Sequence, residues 1–549
     1  AAIGDTLTVI QRPLVNIPAI VTPGGTLTIE CEAGTGTTGW AAELIYGVTH
    51  VPLTITSASY NSSTTWWELE ASVPPVSLYE LYDLEVTADG GISDLTRNAV
   101  HVIPAFKNDY YFIHLSDTHL PTHLYYYEEG SDTDSSEVVD FREVIEDINI
   151  INPEFVLITG DYINEGELEE FLNKQYYTRS QAMLYDLEVP AYLTAGNHDI
   201  GGWDDSPPPD GTARRDWWRF FGWKRLDSPP PGAPEYTQNY SFDYGPVHYI
   251  ALESYVNYDG WRYDTYGYKS FTSGQFDWLD EDMAASSGSS AHVLFFHSDF
   301  QNQIDLGSLG ADMSLAGHKH GDVDDFSHPY EILTDNVCDG ARKYRLIRVS
   351  GGTLSPTYTI SAGSNGNNLR VTYSPANDGT NYTVTADITK NMSEDFEHSE
   401  LRFVMPNEPG TFDVTGGTLV QTDRTGVFAV CYVAVDISSS SQSVTVTLDP
   451  GSGVDSPQEA HGGPVIAGNT PNPFGACTAI RFGVPADGWV HLGVYDVTGR
   501  LVARLTEGHF TAGYHEITWE NPEGIRPGVY FLRLGFGRAE ATRKIVISR

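Results

Sequence analysis

Cysteine is scarce in this chain of 549 residues: Cys31, Cys338, Cys431 and Cys477 lie far apart, with no Cys-x-x-Cys pair among them. That spacing argues against a disulfide scaffold and a zinc ribbon, and leaves one bridge open with no pairing assigned. No apolar run reaches the length of about 18 residues that marks a membrane-spanning helix. Positive charge is thin as well: 31 Lys and Arg stand against 74 Asp and Glu, a net charge of −43. A surface this acidic repels nucleic acid and anionic membranes, so no nucleic-acid partner is expected; solubility or a salty habitat would explain it equally well. The chain opens at Ala1-Ala2 without a basic-then-apolar leader. That fits a cytosolic protein or one whose signal peptide has been removed, and the small residues suit the second reading.

What is present is enough apolar residue, 40% of the chain, to fill cores throughout a length that calls for about three to five domains. Ser116-Asp117-Thr118-His119 follows the strand-length run Tyr111–Leu115. An Asp and a His two residues apart at the mouth of a strand can both reach one metal ion. Four more polar blocks follow: Gly160-Asp161, Gly196-Asn197-His198-Asp199, His297, and Gly317-His318-Lys319-His320. The runs ahead of them are 155–159, 191–195, 292–296 and 313–316. Open α/β sheets build their sites where strands end in this way.

Residues 1–104 read as an all-β sandwich of immunoglobulin type, with period-two alternation at Leu27–Cys31 and Tyr82–Val86. Residues 105–345 alternate strand and helix, which predicts a layered α/β domain. Helices are expected from Ser136, with Val138, Val139, Phe141, Val144, Ile145 and Ile148 on one face, over Glu167–Leu187, and over Ser273–Ala285 with Phe276 and Leu279 inward. The pattern breaks at 201–239, a long insertion beside the ligand blocks that holds Arg214, Arg215, Arg219, Lys224 and Arg225. It reads equally as a lid or substrate wall and as a small satellite core. Residues 346–450 predict a second β-sandwich, 451–470 a linker rich in Gly, Ser and Pro, and 471–549 a terminal β-module.

The ordered series Asp-x-His, Gly-Asp, Gly-Asn-His-Asp, a lone His and Gly-His-x-His resembles the calcineurin-like metallophosphoesterases over residues 105–345. The resemblance implies a four-layer β-sandwich flanked by helices, here with all-β modules on either side. It implies two divalent cations, zinc, manganese or iron: Asp117, His119, Asp161 and His320 at one, and Asp161, Asn197, His297 and His318 at the other. Asp161 takes the bridging place, since a carboxylate can span two cations and a neutral imidazole cannot. Gly317 is expected to let the backbone turn sharply ahead of His318. The implied reaction is hydrolysis of a phosphomonoester or phosphodiester by a hydroxide shared between the metals. His198 would be general acid or transition-state stabiliser, and Asp199 could orient it. Asn164 stands where many relatives carry an acidic residue, and Tyr162 is at the wrong offset to serve as a tyrosinate ligand. Two cations, two carboxylates and a hydroxide leave a small local positive charge, which would attract a phosphate ester despite the acidic surface.

In the last segment, Asn472-Pro473-Phe474, Val494-Tyr495-Asp496, Gly499-Arg500 and Gly528–Phe531 resemble bacterial type IX secretion sorting domains and flagellar-hook-capping immunoglobulin-like domains. That resemblance implies a secreted or cell-surface protein, with surface attachment or self-assembly open. The competing reading is a surface or filament-forming structural protein in which the β-modules do the main work and the metal site is secondary.

Overall fold

A computed structural model describes residues 8–121, 136–164, 166, 175–200, 217, 220–221, 239–254, 270–364, 366–449, 464–470, 477–495, 500–520, 528–537 and 539–547. Its centre is two sheets packed face to face. One is five-stranded, in the order Ala191–Thr194, Val156–Thr159, Asp109–Leu115, Lys343–Ser350, Thr353–Ser361. The first three strands run parallel, with Ile113 opposite Val156 and Val156 opposite Ala191. The other is six-stranded, in the order Tyr240–Tyr244, Val247–Ala251, Ala291–Phe295, Met313–Ala316, Tyr330–Leu333, Val323–Asp325.

Strand alternation sorts the apolar residues between layers. Phe112, Leu157 and Tyr192 face inward against Tyr249, Val293, Phe295 and Leu315. Their neighbours Ile113, Ile158 and Leu193 face outward and are covered by Phe141, Val144, Ile145 and Ile148 of the helix Ser136–Ile151. On the opposite face Leu279 of the helix Ser273–Ala285 covers Ile250, Leu252 and Leu294. The result is the expected four-layer α/β/β/α core, and the multidomain architecture is as read from the sequence. Val139 departs from the expected helix face and lies exposed; Ile151, outside the expected set, joins Phe141, Val144, Ile145 and Ile148 in the buried stripe. The helix Ser273–Ala285 has the expected bounds because Thr272 and Gln275 form a reciprocal capping box at its start. Of the second expected helix, the described part is Tyr176–Leu184.

Antiparallel modules flank this core. Residues 8–103 form a sandwich of four and five strands around Leu27, Ile29, Leu84 and Val86. Strands from Asn368 to Asp449 form sheets of four and three, whose core runs on into the outer face of the helix Ser136–Ile151. Strands from Val465 to Ile547 form sheets of three and four. Two expected boundaries move. The hairpin Lys343–Ser361 belongs to the five-stranded sheet, with Arg348 opposite Tyr111, so the α/β domain runs past residue 345. The strand Val465–Thr470 pairs with Cys477–Val484, so the last module begins inside the expected linker. Both segments carry the same alternation as the β-modules beside them, and alternation does not say which sheet a strand joins. All four cysteines are free thiols, three buried and Cys477 exposed.

His248 sits in the strand Val247–Ala251, as read, and is held between Asp243 at 2.7 Å and Asp282 at 2.8 Å. Burial opposes its charge, but the two carboxylates outweigh that and raise its pKa to about 9. The folded value lies above the unfolded one, so the stabilisation is full below about pH 6.5 and is lost as pH rises through about 9. Stability should therefore fall by about 1–2 kcal/mol between pH 6.5 and 9.5, allowing for solvent screening at this edge. Urea titrations at the two pH values check this, and the fall should be smaller by that amount in His248→Asn.

Candidate metal centre

The strand ends Leu115, Thr159, Phe295 and Ala316 and the turn after Thr194 deliver the five polar blocks to one place. Backbone hydrogen bonds lace the loops together. Asp117 N donates to Gly160 O at 3.1 Å, His119 N to Asp161 O at 2.9 Å, and Gly317 N to His297 O at 3.0 Å. His318 N donates to both oxygens of Asp117, at 2.9 and 3.2 Å. Each loop thus fixes its neighbour's register before any side chain is considered.

The donor atoms converge. Asp161 Oδ2 lies 3.1 Å from His297 Nε2 and 3.9 Å from His119 Nε2. His297 Nε2 is 3.2 Å from Asn197 Oδ1 and 3.2 Å from His318 Nδ1. His320 Nε2 is 3.1 Å from His119 Nε2 and 3.4 Å from Asp117 Oδ1. All seven expected ligand residues are therefore joined in one continuous series of donor-atom contacts of 3.1–3.9 Å. Three sets have all their donor atoms within 4.8 Å: His119, Asp161 and His198; Asp161, His297 and His318; and His119, His320 and Cys338. Asp161 is common to two of them, as a bridging carboxylate must be.

Holding these groups strains the backbone. Asp117, His119, Asp161, His318 and His320 all have φ between 45° and 72°, a region in which a non-glycine residue costs about 1–3 kcal/mol. Such strain persists only where the surroundings over-determine it, here through the bonds between loops. The motif glycines serve close approach. A Cβ on Gly196 would lie 2.3 Å from Asp161 Oδ1, and one on Gly317 would lie 1.9 Å from Ser116 Oγ and 2.4 Å from Asp117 Oδ2. Gly317 is thus needed for its missing side chain; the left-handed turn falls on His318, at φ 72°. Gly317→Ala should displace Asp117, reduce bound metal to below two per chain and cost about 1–3 kcal/mol of stability. Elemental analysis and thermal melting check this.

The imidazoles are oriented from behind, which is how ligand histidines are usually held. His297 Nδ1 faces Thr159 O at 2.6 Å, and His119 Nδ1 faces Asn164 Oδ1 at 3.2 Å. His198 lies against His119, ring centres 4.6 Å apart, and its Nδ1 faces Asn164 O at 2.6 Å. Its backbone N–H donates to Asp161 Oδ1 at 2.8 Å. The group orienting the His198 ring is therefore the Asn164 carbonyl rather than Asp199. The Asp199 carboxylate accepts from Gly196 N and Ile163 N, both at 2.7 Å, and pins the loop that carries Asn197 and His198. Sequence reasoning weighed Asn164 only as a missing carboxylate, yet its amide and carbonyl hold two of the site's imidazoles. Cys338 was not singled out at all.

Burial opposes charge on Asp161, yet His297, His198 and His119 around it hold its carboxyl well below the usual range. At His297 burial is likewise outweighed by Asp161, which raises the imidazole to about 9. His318, half-buried and next to His297, is lowered by desolvation to about 4. Closely packed imidazoles around two buried carboxylates are a donor set suited to borderline cations of the zinc, manganese and iron kind. The Tyr162 hydroxyl donates to Ser180 O at 3.0 Å, consistent with its exclusion as a ligand. Of the insertion, Trp217, Phe220 and Phe221 pack against Tyr177, and Phe221 also against Tyr162, as a satellite core would. Its basic residues, and His123 and Tyr125–Tyr127, lie outside the described residues.

Residues 110–322 match the family model of the calcineurin-like phosphoesterases. Residues 110–322 thus form a calcineurin-like metallophosphoesterase domain, of the metal-dependent phosphoesterase class. No curated protein sequence matches the chain. Among solved structures, a purple acid phosphatase from yellow lupin (Lupinus luteus) seeds is similar over 67% of this chain and 70% of its own, at 10% identity and a TM-score of 0.31. A dimetal phosphatase from Danio rerio is similar over 47% of this chain and 100% of its own, at 13% identity and a TM-score of 0.30. No helix among the described residues is long and apolar enough to cross a membrane.

Proposed function

We propose that the chain is an exported dinuclear-metal phosphoesterase acting on a phosphomonoester or phosphodiester. The observation that carries the reading is Asp161, shared between two donor clusters that hold the expected ligands His119, His297 and His318 together with His198. Asp117, His119 and His320 would hold one cation, and Asn197, His297 and His318 the other, with Asp161 between them. Two divalent ions bound there would supply an acidified water and neutralise charge that develops on the phosphoryl oxygens. The chain itself places His198 beside this centre, with Nδ1 turned to a carbonyl. A carbonyl only accepts, so Nδ1 carries a proton and Nε2 is the atom that would exchange one with a leaving oxygen.

Export rests on the likeness of the terminal sandwich to sorting domains, which would also attach the chain to a cell surface. The deciding assay for the enzyme is hydrolysis of generic phosphomonoester and phosphodiester probes by metal-replete protein. Turnover should fall at least about a hundredfold when a chelator removes the ions, and should return when zinc or manganese is added back. Turnover indifferent to metal removal would end the reading.

A further inference from the structure

The third donor cluster contains a residue that the seven-ligand reading leaves out. Cys338 Sγ lies within 4.8 Å of a ligand atom of His119 and of one of His320. We propose that Cys338 gives a sulfur donor to the cation held by Asp117, His119 and His320, and thereby biases that position toward zinc or cobalt over manganese or magnesium. The inference rests on the dinuclear reading and says which metal one half of the centre selects.

The backbone carries the thiol there. Val337 N donates to Ser116 O at 3.1 Å, and Cys338 N to Asp117 O at 3.1 Å. Residues 337–338 are thus bonded to the loop that bears Asp117 and His119. The turn beyond is tied down from outside: Asp339 N donates to Glu137 Oε2 at 3.0 Å, and Gly340 N to Asp140 Oδ2 at 2.7 Å. The thiol faces Asp339 Oδ2 at 3.7 Å, and Asn336 Nδ2 donates to Sγ at 3.0 Å. That contact satisfies a sulfur carrying negative charge. The side chain is fully buried, so a cation in the cluster is the agent placed to engage it. Coordination would replace the S–H bond by a sulfur–metal bond and release one proton to solvent.

Thiolate donors select zinc and its soft neighbours, whereas carboxylate and water suit manganese and magnesium. With sulfur added, the Asp117 side of the centre carries mixed nitrogen, oxygen and sulfur donors. The Asn197 side carries nitrogen and oxygen only. The two halves of one centre should then differ in metal preference.

X-ray absorption at the zinc edge of the full chain loaded with two zinc ions tests this without any substitution. The expected result is one sulfur scatterer per two zinc ions at about 2.3 Å. Cobalt-loaded protein should show a near-ultraviolet thiolate-to-cobalt band that Cys338→Ser removes while two metals stay bound. Cys338→Ser should also lower the preference for zinc over manganese by at least about tenfold. Two zinc ions bound with no sulfur neighbour, or a cobalt band that survives Cys338→Ser, overturns the assignment and leaves the dinuclear reading intact. Failure of the unaltered chain to bind two metals overturns both.

Discussion

Asp161→Asn is expected to leave the fold intact and to remove nearly all phosphoesterase activity. The substitution keeps the shape of the side chain and its place between His297 and His119, but removes the charge. A neutral amide can offer one oxygen to one cation, whereas the carboxylate can offer an oxygen to each of two. The loss of metal-borne charge stabilisation is worth several kcal/mol, so kcat/KM should fall by about a thousandfold or more. Metal content should fall from two ions per chain to one or none. Removing the carboxylate also takes away what raises His297 to about 9, so the imidazole should titrate lower in the metal-free variant. Thermal melting of metal-free wild type and variant tells loss of the site from loss of the fold. A variant that keeps two metals and ordinary turnover would show that Asp161 does not bridge.

The clustering of these donor residues was legible in the sequence because each block combines two independent signals, an apolar run and a polar cluster just beyond it. Open α/β sheets put strand ends at one edge, so five such blocks in order converge without knowledge of the exact fold. His297 illustrates this: a single His after an apolar strand says little, yet the parallel pairing of Ala291–Phe295 with Met313–Ala316 leaves it beside His318. Cys338 was not legible for the opposite reason. It follows no strand-then-cluster pattern. It reaches the site because Lys343–Ser350 returns antiparallel to Asp109–Leu115, a pairing between residues more than two hundred positions apart. The Asn164 carbonyl was not legible because every residue has one. An acceptor on the main chain leaves no trace in residue type, and only geometry shows that it holds His198. The domain edges at Ser361 and Val465 were missed because period-two alternation marks a strand without naming its sheet. The helix Ser273–Ala285 was placed correctly because its cap is chemical: Thr and Gln three apart satisfy two orphan N–H groups.

The second large effect falls on His198. His198→Ala should leave two metals bound, since none of the seven ligand donors is removed, and should lower kcat by about a hundredfold to ten-thousandfold. The loss should depend on the leaving group. An alkyl phosphate departs as a strongly basic oxygen and needs a proton at that moment, whereas a nitrophenyl phosphate departs as a weak base and does not. If Nε2 delivers that proton, the variant should be crippled on the alkyl ester and much less affected on the nitrophenyl ester. If the ring only stabilises charge on the phosphoryl oxygens, the two losses should be equal. The second outcome keeps His198 in the site but removes its role as an acid; an unchanged kcat on both esters removes it altogether. The contact at 2.6 Å between His198 Nδ1 and Asn164 O adds a further constraint. It fixes which nitrogen points back into the protein, so the proton in question has to sit on Nε2. A substitution at Asn164 that kept the carbonyl should therefore keep the leaving-group dependence, while weakening metal affinity through the lost contact between the Asn164 amide and His119.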